Sequence, residues 1–572
     1  MKTALDVALD ATIAQITAPG GPLAVDRAVI AGVELPVFSA APATMRDFFG
    51  YFAHVHGGKE FLVHGAERLT LAEVHAAGMR MAAMLQHRHG VAKGDRVAIA
   101  MRNYPEWLTA FMALMHLGAV AVPMNAWWTG DELAFGLGDC GARVLIADEP
   151  RARRAMEAGV PACGIRVIAV RTDAGVAKGL GAVRLEEELA ASPPACWYLA
   201  PVLPEDDATI MYTSGSTGTP KGAVSTQRGL VSGALNYLVT GLALLSLAQQ
   251  QGLEMPAQQV MLVNLPLFHI TGLVPVALVS VAIGRKMIMM DRWDAGEALR
   301  LIEAERCTYF VGVPTMSLEM LMHPDRDRFD TSSLIDVASG GAPRPPEHVE
   351  RLVREWPGKS PLQGYGLTET NGVGAGNLRD NYRAKPNSTG RASAPMVEIR
   401  IVAAEAVDCA VPLAAGEVGE VCLRSACNAW GYWMNPAATA EGFPGDGWFR
   451  SGDLGYLDAD DYLFIVDRKK DIIIRGGENI SCQEVEAAIY AHPAVAEASV
   501  FGLPDERLGE IVGAVVCVKP GAALEADALA DFVGRDLAAF KVPARIWLVD
   551  RPLPKLGSGK IDKIALRRLY AV

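Results

Sequence analysis

Apolar residues recur along this chain with two different periods. Leu71, Val74, Gly78, Met81 and Leu85 fall at spacings of three and four, which places them on one face of a helix with Gly78 as its weak member. After a turn at Gly94-Asp95, Arg96 to Met101 reads as a buried strand, Trp107 to Leu117 as a helix, and Gly118 to Pro123 as a second strand. Strand, helix and strand in this order predict a doubly wound α/β region. Ala208 to Met211 reads as a further strand, and Asn264 to His269 ends another before an apolar helix that opens near Gly272. Val337 to Ser339 and Leu362 to Gln363 are strands running into glycine turns. From Ala394 to about Tyr462 the period shortens to alternating strands such as Val397 to Ile401 and Gly419 to Leu423, which predicts a small β-barrel. A strand at Ile472 to Ile474, a glycine loop and a helix from Glu484 to Ala491 then predict a small α+β unit. Residues 1 to about 45 carry no readable pattern and are expected to be a surface-packed arm.

Composition narrows the classes. A chain of 572 residues, 51% apolar and 21% charged, is a globular protein too large for one ordinary core, so two or more domains are expected. A net charge of −12 without any Lys/Arg run excludes a nucleic-acid backbone as the partner. Nine cysteines form no CxxC pair and fit a reducing cytoplasm. The start, MKTALDVALDATIAQ, carries Asp6 and Asp10 and is no signal peptide. Leu273 to Gly284, read as the most apolar stretch, is too short to span a bilayer, so no transmembrane segment is expected. Peripheral membrane contact and a homodimer stay open.

Candidate chemistry concentrates in Tyr212 to Gly222, YTSGSTGTPKG. Hydroxyls of Thr213, Ser214, Ser216, Thr217 and Thr219, with Gly215, Gly218 and Gly222, surround Lys221. Glycines let backbone N–H groups approach phosphate oxygens, hydroxyls add donors, and a lysine fixes a positive charge. A polar Gly/Ser turn is the plain alternative, but the Pro-Lys-Gly exit after an apolar strand sets this stretch apart. It is not a Walker A loop, because Pro220 precedes Lys221 and Gly222-Ala223-Val224 reads as a return into a strand. The later glycine turns, Ser339 to Pro343 and Gln363 to Glu369, follow strands, where open α/β sheets bind ligands. Val466 to Asp471 reads by itself as a solvated turn. Pro552 to Ile561 reads as a helix-free loop that can project Lys560.

At these residues the chain resembles the adenylate-forming superfamily, which comprises acyl-CoA synthetases, luciferases and peptide-synthetase adenylation domains. Matches run in the family's order from Gly94 to Lys560. The resemblance implies an extension (1–45), a large N-terminal adenylation domain (46–467), a hinge (468–471) and a small mobile C-terminal lid (472–572). It implies ATP held at Thr213, Ser214, Gly215, Ser216, Thr217, Gly218 and Lys221, with adenine between Gly341, Ala342 and Pro343 on one side and Gly364, Tyr365 and Gly366 on the other. Thr368 would meet the α-phosphate and Glu369 would hold magnesium, a hard cation that takes oxygen ligands. Asp453 and Arg468 would bind the ribose. Ser451 stands where the family usually has threonine, and it keeps the hydroxyl. Lys470 would be the pivot, Gly476 and Gly477 would line the CoA channel, and Lys560 would bridge the substrate carboxylate and the α-phosphate.

The segment ending in Phe268-His269 separates subfamilies. Peptide-synthetase domains resemble one another in placing an aspartate there to pair with an amino group, and this chain has none. Phe268-His269 is similar to the acyl-CoA synthetase form, in which the ring lies beside the carboxylate and gates the acyl pocket. No general base is needed, since a carboxylate is already a nucleophile at neutral pH; a satisfied core histidine is the plain alternative. Asp467, where peptide-synthetase domains tend to have glycine, points the same way. Leu273, Val311, Gly312, Met316 and Gly372 are candidate pocket residues, apolar or small, and suit a fatty, alicyclic or aryl acid. The expected activity is an ATP- and magnesium-dependent carboxylate:CoA ligase that makes an acyl adenylate and then a thioester. The alternatives are an acyl-AMP ligase that loads a carrier protein or stops at the adenylate, a luciferase-like oxygenase, and a catalytically dead nucleotide-binding homologue. The joint presence of Lys221, Glu369, Asp453, Arg468 and Lys560 disfavours the last.

Overall fold

The computed structural model describes residues 2–160, 164–196, 198–213, 220–254, 256–342, 344–476, 478–556 and 560–570. Among these, the α/β pattern resolves into two large sheets and a smaller C-terminal one, beside a separate hairpin. In the first, Arg96–Ala100 lies between Val120–Pro123 and Val144–Asp148, all parallel, and the ladder runs on through Arg166–Val170 to Val183–Arg184. On the other side Val120–Pro123 meets Asp207–Thr213, which turns back antiparallel as Lys221–Thr226. The helix Leu71–His89 buries the expected stripe and packs on Pro105–Leu117. Gly78 is where the two helices approach most closely: a Cβ there would lie 3.0 Å from the Met112 Cβ and 3.4 Å from the Thr109 carbonyl oxygen. The weak member of the stripe is therefore a packing requirement.

The second sheet carries the C-terminal ends that matter for function. Glu60–His64, Lys286–Met289, Val260–Val263, Tyr309–Gly312, Asp336–Ser339 and Ser360–Tyr365 are parallel neighbours in that order. The antiparallel strands expected between 394 and 462 have their own small core of Ile401, Val421, Leu423, Phe449 and Leu463. Their ladder also runs into the large sheet through Tyr462–Arg468, Gly390–Ala392 and Ala375–Leu378.

Two features go beyond the sequence reading. Gln227–Gln250 is a helix of 24 residues, long and apolar enough by length and composition to cross a membrane, so 273–284 is not the longest apolar helix. Gln227, Asn236 and Thr240 interrupt its apolar run in the sequence, and its buried face, including Leu230, Val231, Ala234, Leu235 and Val239, belongs to the main core. The extension, in turn, is built in. Its helix Ala4–Thr17, opened by a Thr3/Asp6 capping box, sends Leu9 and Ile16 into that core. Asp6, 1% exposed, accepts from Asn381 Nδ2 at 2.9 Å and from the Tyr462 hydroxyl at 2.9 Å, with Arg391 at 3.4 Å.

The C-terminal unit sets Glu478–Ile480, Ile473–Arg475, Gly509–Val518 and Val495–Asp505 side by side, with Arg545–Val549 parallel to Gly509–Val518. Its core of Ile473, Val485, Val500, Val516 and Leu529 is separate from the others. The eight described cysteines are all free thiols. Replacing Asp6 by alanine leaves a buried hydroxyl, an amide and a guanidinium without their shared acceptor. The expected cost is about 2–4 kcal/mol, read as a lowered urea midpoint or melting temperature. An unchanged midpoint would return the arm to the surface.

Candidate functional site

Thr213 and Lys221 face each other where the antiparallel strands Asp207–Thr213 and Lys221–Thr226 are joined in sequence, and the Thr213 hydroxyl donates to the Lys221 carbonyl at 3.4 Å. Ser214, Gly215, Ser216, Thr217 and Gly218 lie outside the described residues. The Lys221 ammonium sits over the Tyr432 ring, 5.4 Å from its centroid, and the Tyr432 hydroxyl donates to Glu369 Oε1 at 2.8 Å. The same segment donates Ala429 N–H to the Glu369 carbonyl and Trp433 N–H to the Gly222 carbonyl, each at 2.7 Å. Asn371, in a left-handed turn at φ 52°, accepts from Ser225 Oγ at 2.9 Å and donates to the Cys427 carbonyl at 2.7 Å. Segment 427–433 thus clamps the Lys221 strand to the Glu369 turn. Nothing in its sequence signalled this, because each bond joins residues far apart in the chain.

Glu369 opens toward this junction from the one-turn helix Thr368–Thr370. Burial raises its carboxyl above the usual range, and the Tyr432 donor offsets part of that. Oε1 is engaged, while Oε2 has no hydrogen bond to a described residue. A buried carboxylate with a free oxygen fits a hard cation. Among the described residues no cluster of three or more His, Cys, Asp or Glu forms, so most ligands of such a cation would come from phosphate oxygens.

The neighbouring strand ends complete a nucleotide-sized edge. The Tyr365 hydroxyl donates to Asp453 Oδ2 at 2.8 Å, and Arg468 Nε pairs with Asp453 Oδ1 at 3.0 Å across adjacent strands. Gly364 precedes Tyr365 at the end of Ser360–Tyr365 and Gly366 follows it. Ser451 Oγ donates to the Val421 carbonyl at 2.7 Å and accepts the Asp453 N–H at 3.0 Å, so the retained hydroxyl orients the aspartate. Beyond Asp336–Ser339, the Ala342 carbonyl accepts from Gln363 Nε2 at 3.3 Å, while Pro343 lies outside the described residues.

Lys560 reaches this edge from the C-terminal unit. A Cβ built on Gly341, whose φ is +77°, would come 3.3 Å from the Lys560 Cε, so glycine is what lets the lysine lie along the loop. Burial pushes the Lys560 ammonium down to about 8; Arg468 pushes the same way and Asp453 opposes. The docked arrangement has further ties. Asp467 accepts from Cys482 N–H at 2.5 Å, Gln483 N–H at 3.3 Å and Ser481 Oγ at 3.2 Å, capping the helix Cys482–Tyr490 from the end of the large sheet. Lys555 reaches Glu497 at 2.7 Å and Glu319 at 3.5 Å, and the His348 ring meets Tyr490. Exposed Lys470 lies in the turn between the two units, Gly476 (φ +63°) lies in the turn after Ile473–Arg475, and Gly477 lies outside the described residues.

On the far side of Lys560 stands His269. Burial first, then the lysine, push its imidazole down to about 3, so it is neutral at physiological pH. Its Nδ1 accepts the Thr271 N–H at 3.3 Å, which leaves Nε2 as the donor. Asn103 fixes the segment before it, accepting the Leu267 N–H at 3.0 Å and donating to the Leu265 carbonyl at 2.9 Å. That asparagine closes the GDRVAIAMRN stretch, whose role was invisible without the fold. The Phe268 ring packs edge-on against Trp127. Of the apolar candidates, Leu273 is fully buried in the π-helical turn Gly272–Leu278, Val311 and Gly312 end a parallel strand, and Met316 lies in the first turn of Pro314–Leu321. The Gly372 carbonyl accepts from the Tyr237 hydroxyl at 2.5 Å.

A small α+β unit that places a lysine against a glycine turn at the C-terminal edge of a parallel sheet, near a buried aspartate–arginine pair, defines a two-domain α/β fold. The chain belongs to the AMP-binding enzyme family, whose profile matches residues 49–433, with the family's C-terminal domain matching 484–560. It is 36% identical to a feruloyl-CoA synthase of an Amycolatopsis species over 89% of this chain and 95% of the relative. It is 35% identical to the long-chain-fatty-acid–CoA ligase FadD13 of Mycobacterium tuberculosis over 88% and 93% of the two chains. Its fold is similar to that of o-succinylbenzoate CoA synthetase from Bacillus subtilis in complex with its acyl-adenylate intermediate (TM-score 0.74, 28% identity, 91% and 97% covered).

The lowered Lys560 value is directly measurable. With lysines reductively methylated by ¹³C-formaldehyde, one NMR signal, missing from Lys560→Ala, should titrate near pH 8 in the unliganded protein, well below the ~10.4 of free lysine. A midpoint equal to that of surface lysines would take Lys560 out of the buried site.

Proposed function

We propose that this chain is an AMP-forming carboxylate:CoA ligase that activates an acid with an apolar body, fatty or aryl, through an acyl adenylate. The observation that carries the reading is the seating of Lys560 against Gly341, close enough to the Asp453–Arg468 pair to feel its charge and to a neutral His269 to act on it. The relatives act on feruloyl, long-chain fatty and o-succinylbenzoyl groups, and the apolar candidates Val311, Gly312, Met316 and Gly372 suit that range.

In the first half-reaction the acid's carboxylate oxygen attacks the α-phosphorus of ATP, and the bond to the bridging oxygen of pyrophosphate breaks. Two anions must meet, and Lys560 and Lys221 offset their repulsion from fixed positions, the kind of preorganised charge that dominates such barriers. Neutral His269 donates from Nε2 to the carboxylate without competing for a proton. Tyr365 and the Asp453–Arg468 pair hold the adenosine, and the 214–218 loop cradles the phosphates. Magnesium held at Glu369 would neutralise phosphate charge, and the related o-succinylbenzoate CoA synthetase of Bacillus subtilis has been solved in complex with ATP and a magnesium ion. In the second half-reaction the CoA thiol attacks the acyl carbonyl and AMP leaves. For this the lid, 472–572, turns about Lys470 in the 468–471 hinge, withdrawing Lys560 and bringing Gly476 and Gly477 to the pantetheine path. The eight free thiols among the described residues suit a reducing cytoplasm.

The test is AMP formation that requires both an acid and CoA, across acids from acetate to long-chain and aromatic ones. Adenylate formation without CoA-dependent release would favour a carrier-protein ligase, and ATP binding without pyrophosphate exchange a sensor. In single-turnover kinetics Lys560→Ala should slow adenylate formation by roughly 10²–10³-fold and spare thioester formation from supplied acyl adenylate. Equal losses in both would make Lys560 a lid anchor only. Glu369→Gln removes the charge and keeps the shape; adenylation should fall about 100-fold with weaker apparent magnesium affinity. An unchanged magnesium dependence removes Glu369 from the metal.

A further inference from the structure

We infer that Asn264 is a hydrogen-bonding specificity residue of the acyl site, and that the preferred acid carries a hydroxyl on its apolar body. The inference rests on the ligase reading above. Asn264 is the first residue past Val260–Val263. Leu262 is level with Phe310 in the parallel ladder, so two residues on Asn264 is level with Gly312, and Gly312 is level with Ser339. One row along the C-terminal edge of the sheet therefore runs from Asn264 through Gly312 to the strand end that leads to Gly341 and Lys560. Reaction centre and asparagine share that edge, two strands apart.

The side chain is 8% exposed, and its Oδ1 is buried with no hydrogen-bond partner. Its Nδ2 points at the Met316 sulfur, 3.0 Å away, and a thioether is a weak acceptor. That contact also sets the orientation of the amide, since turning it over would press an oxygen onto the sulfur lone pairs. Gly312 borders the same sulfur: a Cβ there would come 3.1 Å from it. The amide has no structural duty in its own loop, because Asn103 already takes the Leu265 carbonyl and the Leu267 N–H. Its chain neighbours Leu262, Val263, Leu265 and Leu267 are all buried and apolar, so leucine would fill the position without leaving a polar atom unpaired. A buried acceptor left open beside the acyl wall is completed by a donor on the substrate. A distal carboxylate is repelled by an oxygen, and an ammonium would need a counter-charge that the aligned Asn264–His269 segment lacks. A phenolic or aliphatic hydroxyl fits both conditions.

The test compares kcat/KM for matched acids that differ only by a hydroxyl, cinnamic against 4-hydroxycinnamic acid and hexadecanoic against 16-hydroxyhexadecanoic acid. The wild-type enzyme should favour the hydroxylated member of at least one pair by about tenfold or more. Asn264→Leu should bring that ratio near one, with the loss confined to the hydroxylated acid and the plain acid kept within about threefold. Asn264→Ser, small enough for any packing, reads the same ratio should the leucine variant melt early. A wild-type ratio near one in both pairs, or a preference that survives both substitutions, overturns the assignment while leaving ligase activity intact. No CoA-dependent turnover with any acid overturns the ligase reading and this inference together.

Discussion

A buried ammonium is the constraint from which the rest of this site follows. Lys560 is desolvated against a glycine turn, with one positive neighbour in Arg468 and one negative in Asp453, and is held at a value far below that of a free lysine. At about 8 the amine is still mostly charged at neutral pH, and anions that join it offset the cost of holding that charge away from water. The site suits completion by a polyanion, and its other features prepare for one: a second lysine over an aromatic face, a hydroxyl-rich sequence before it, and an imidazole kept neutral by burial first and by Lys560 second.

Holding that lysine in place takes contacts from both units. Asp467, the penultimate residue of Tyr462–Arg468, accepts the first free N–H groups of Cys482–Tyr490, so a carboxylate of the large sheet caps a helix of the smaller unit. Burial raises that carboxyl, and the helix N-terminus is what keeps the charged form useful there. The next residue, Arg468, pairs with Asp453, the proposed ribose ligand. Two consecutive side chains thus join that pair to the C-terminal unit, immediately before the turn proposed as the pivot.

Elements with a local signature were legible in the sequence, and pairings between distant segments were not. The stripe from Leu71 to Leu85, the hairpin around Lys221, and the glycine turns after Ser339 and Gln363 all stand where the pattern put them. Asn103, Asn371 and Tyr432 look like ordinary polar residues until the fold brings each against the loop it holds. Asp6 argued only against a signal peptide, yet it is the buried hub that ties the N-terminal helix to Asn381, Arg391 and Tyr462. The long helix Gln227–Gln250 escaped notice because Ser232, Asn236 and Thr240 break its apolar run in the sequence, although by length and composition it is the longer apolar helix.

The same electrostatics supply a reason for the lid to move after the first chemical step. While ATP and a carboxylate occupy the edge, several negative charges offset the cost of burying Lys560. Once adenylate has formed and pyrophosphate has left, the carboxylate charge is gone and the mixed acyl–phosphate anhydride carries a single negative charge. The ammonium is then left under-compensated beside Arg468, and a buried charge without a full partner favours the state that returns it to water. Ties that oppose that release among the described residues include the helix cap at Asp467, the His348–Tyr490 ring contact and the long Lys555–Glu319 pair, the last of which is exposed and adds little. On the proposed mechanism the departure of pyrophosphate would itself be the signal for withdrawal, because it changes the charge that makes the docked pose favourable.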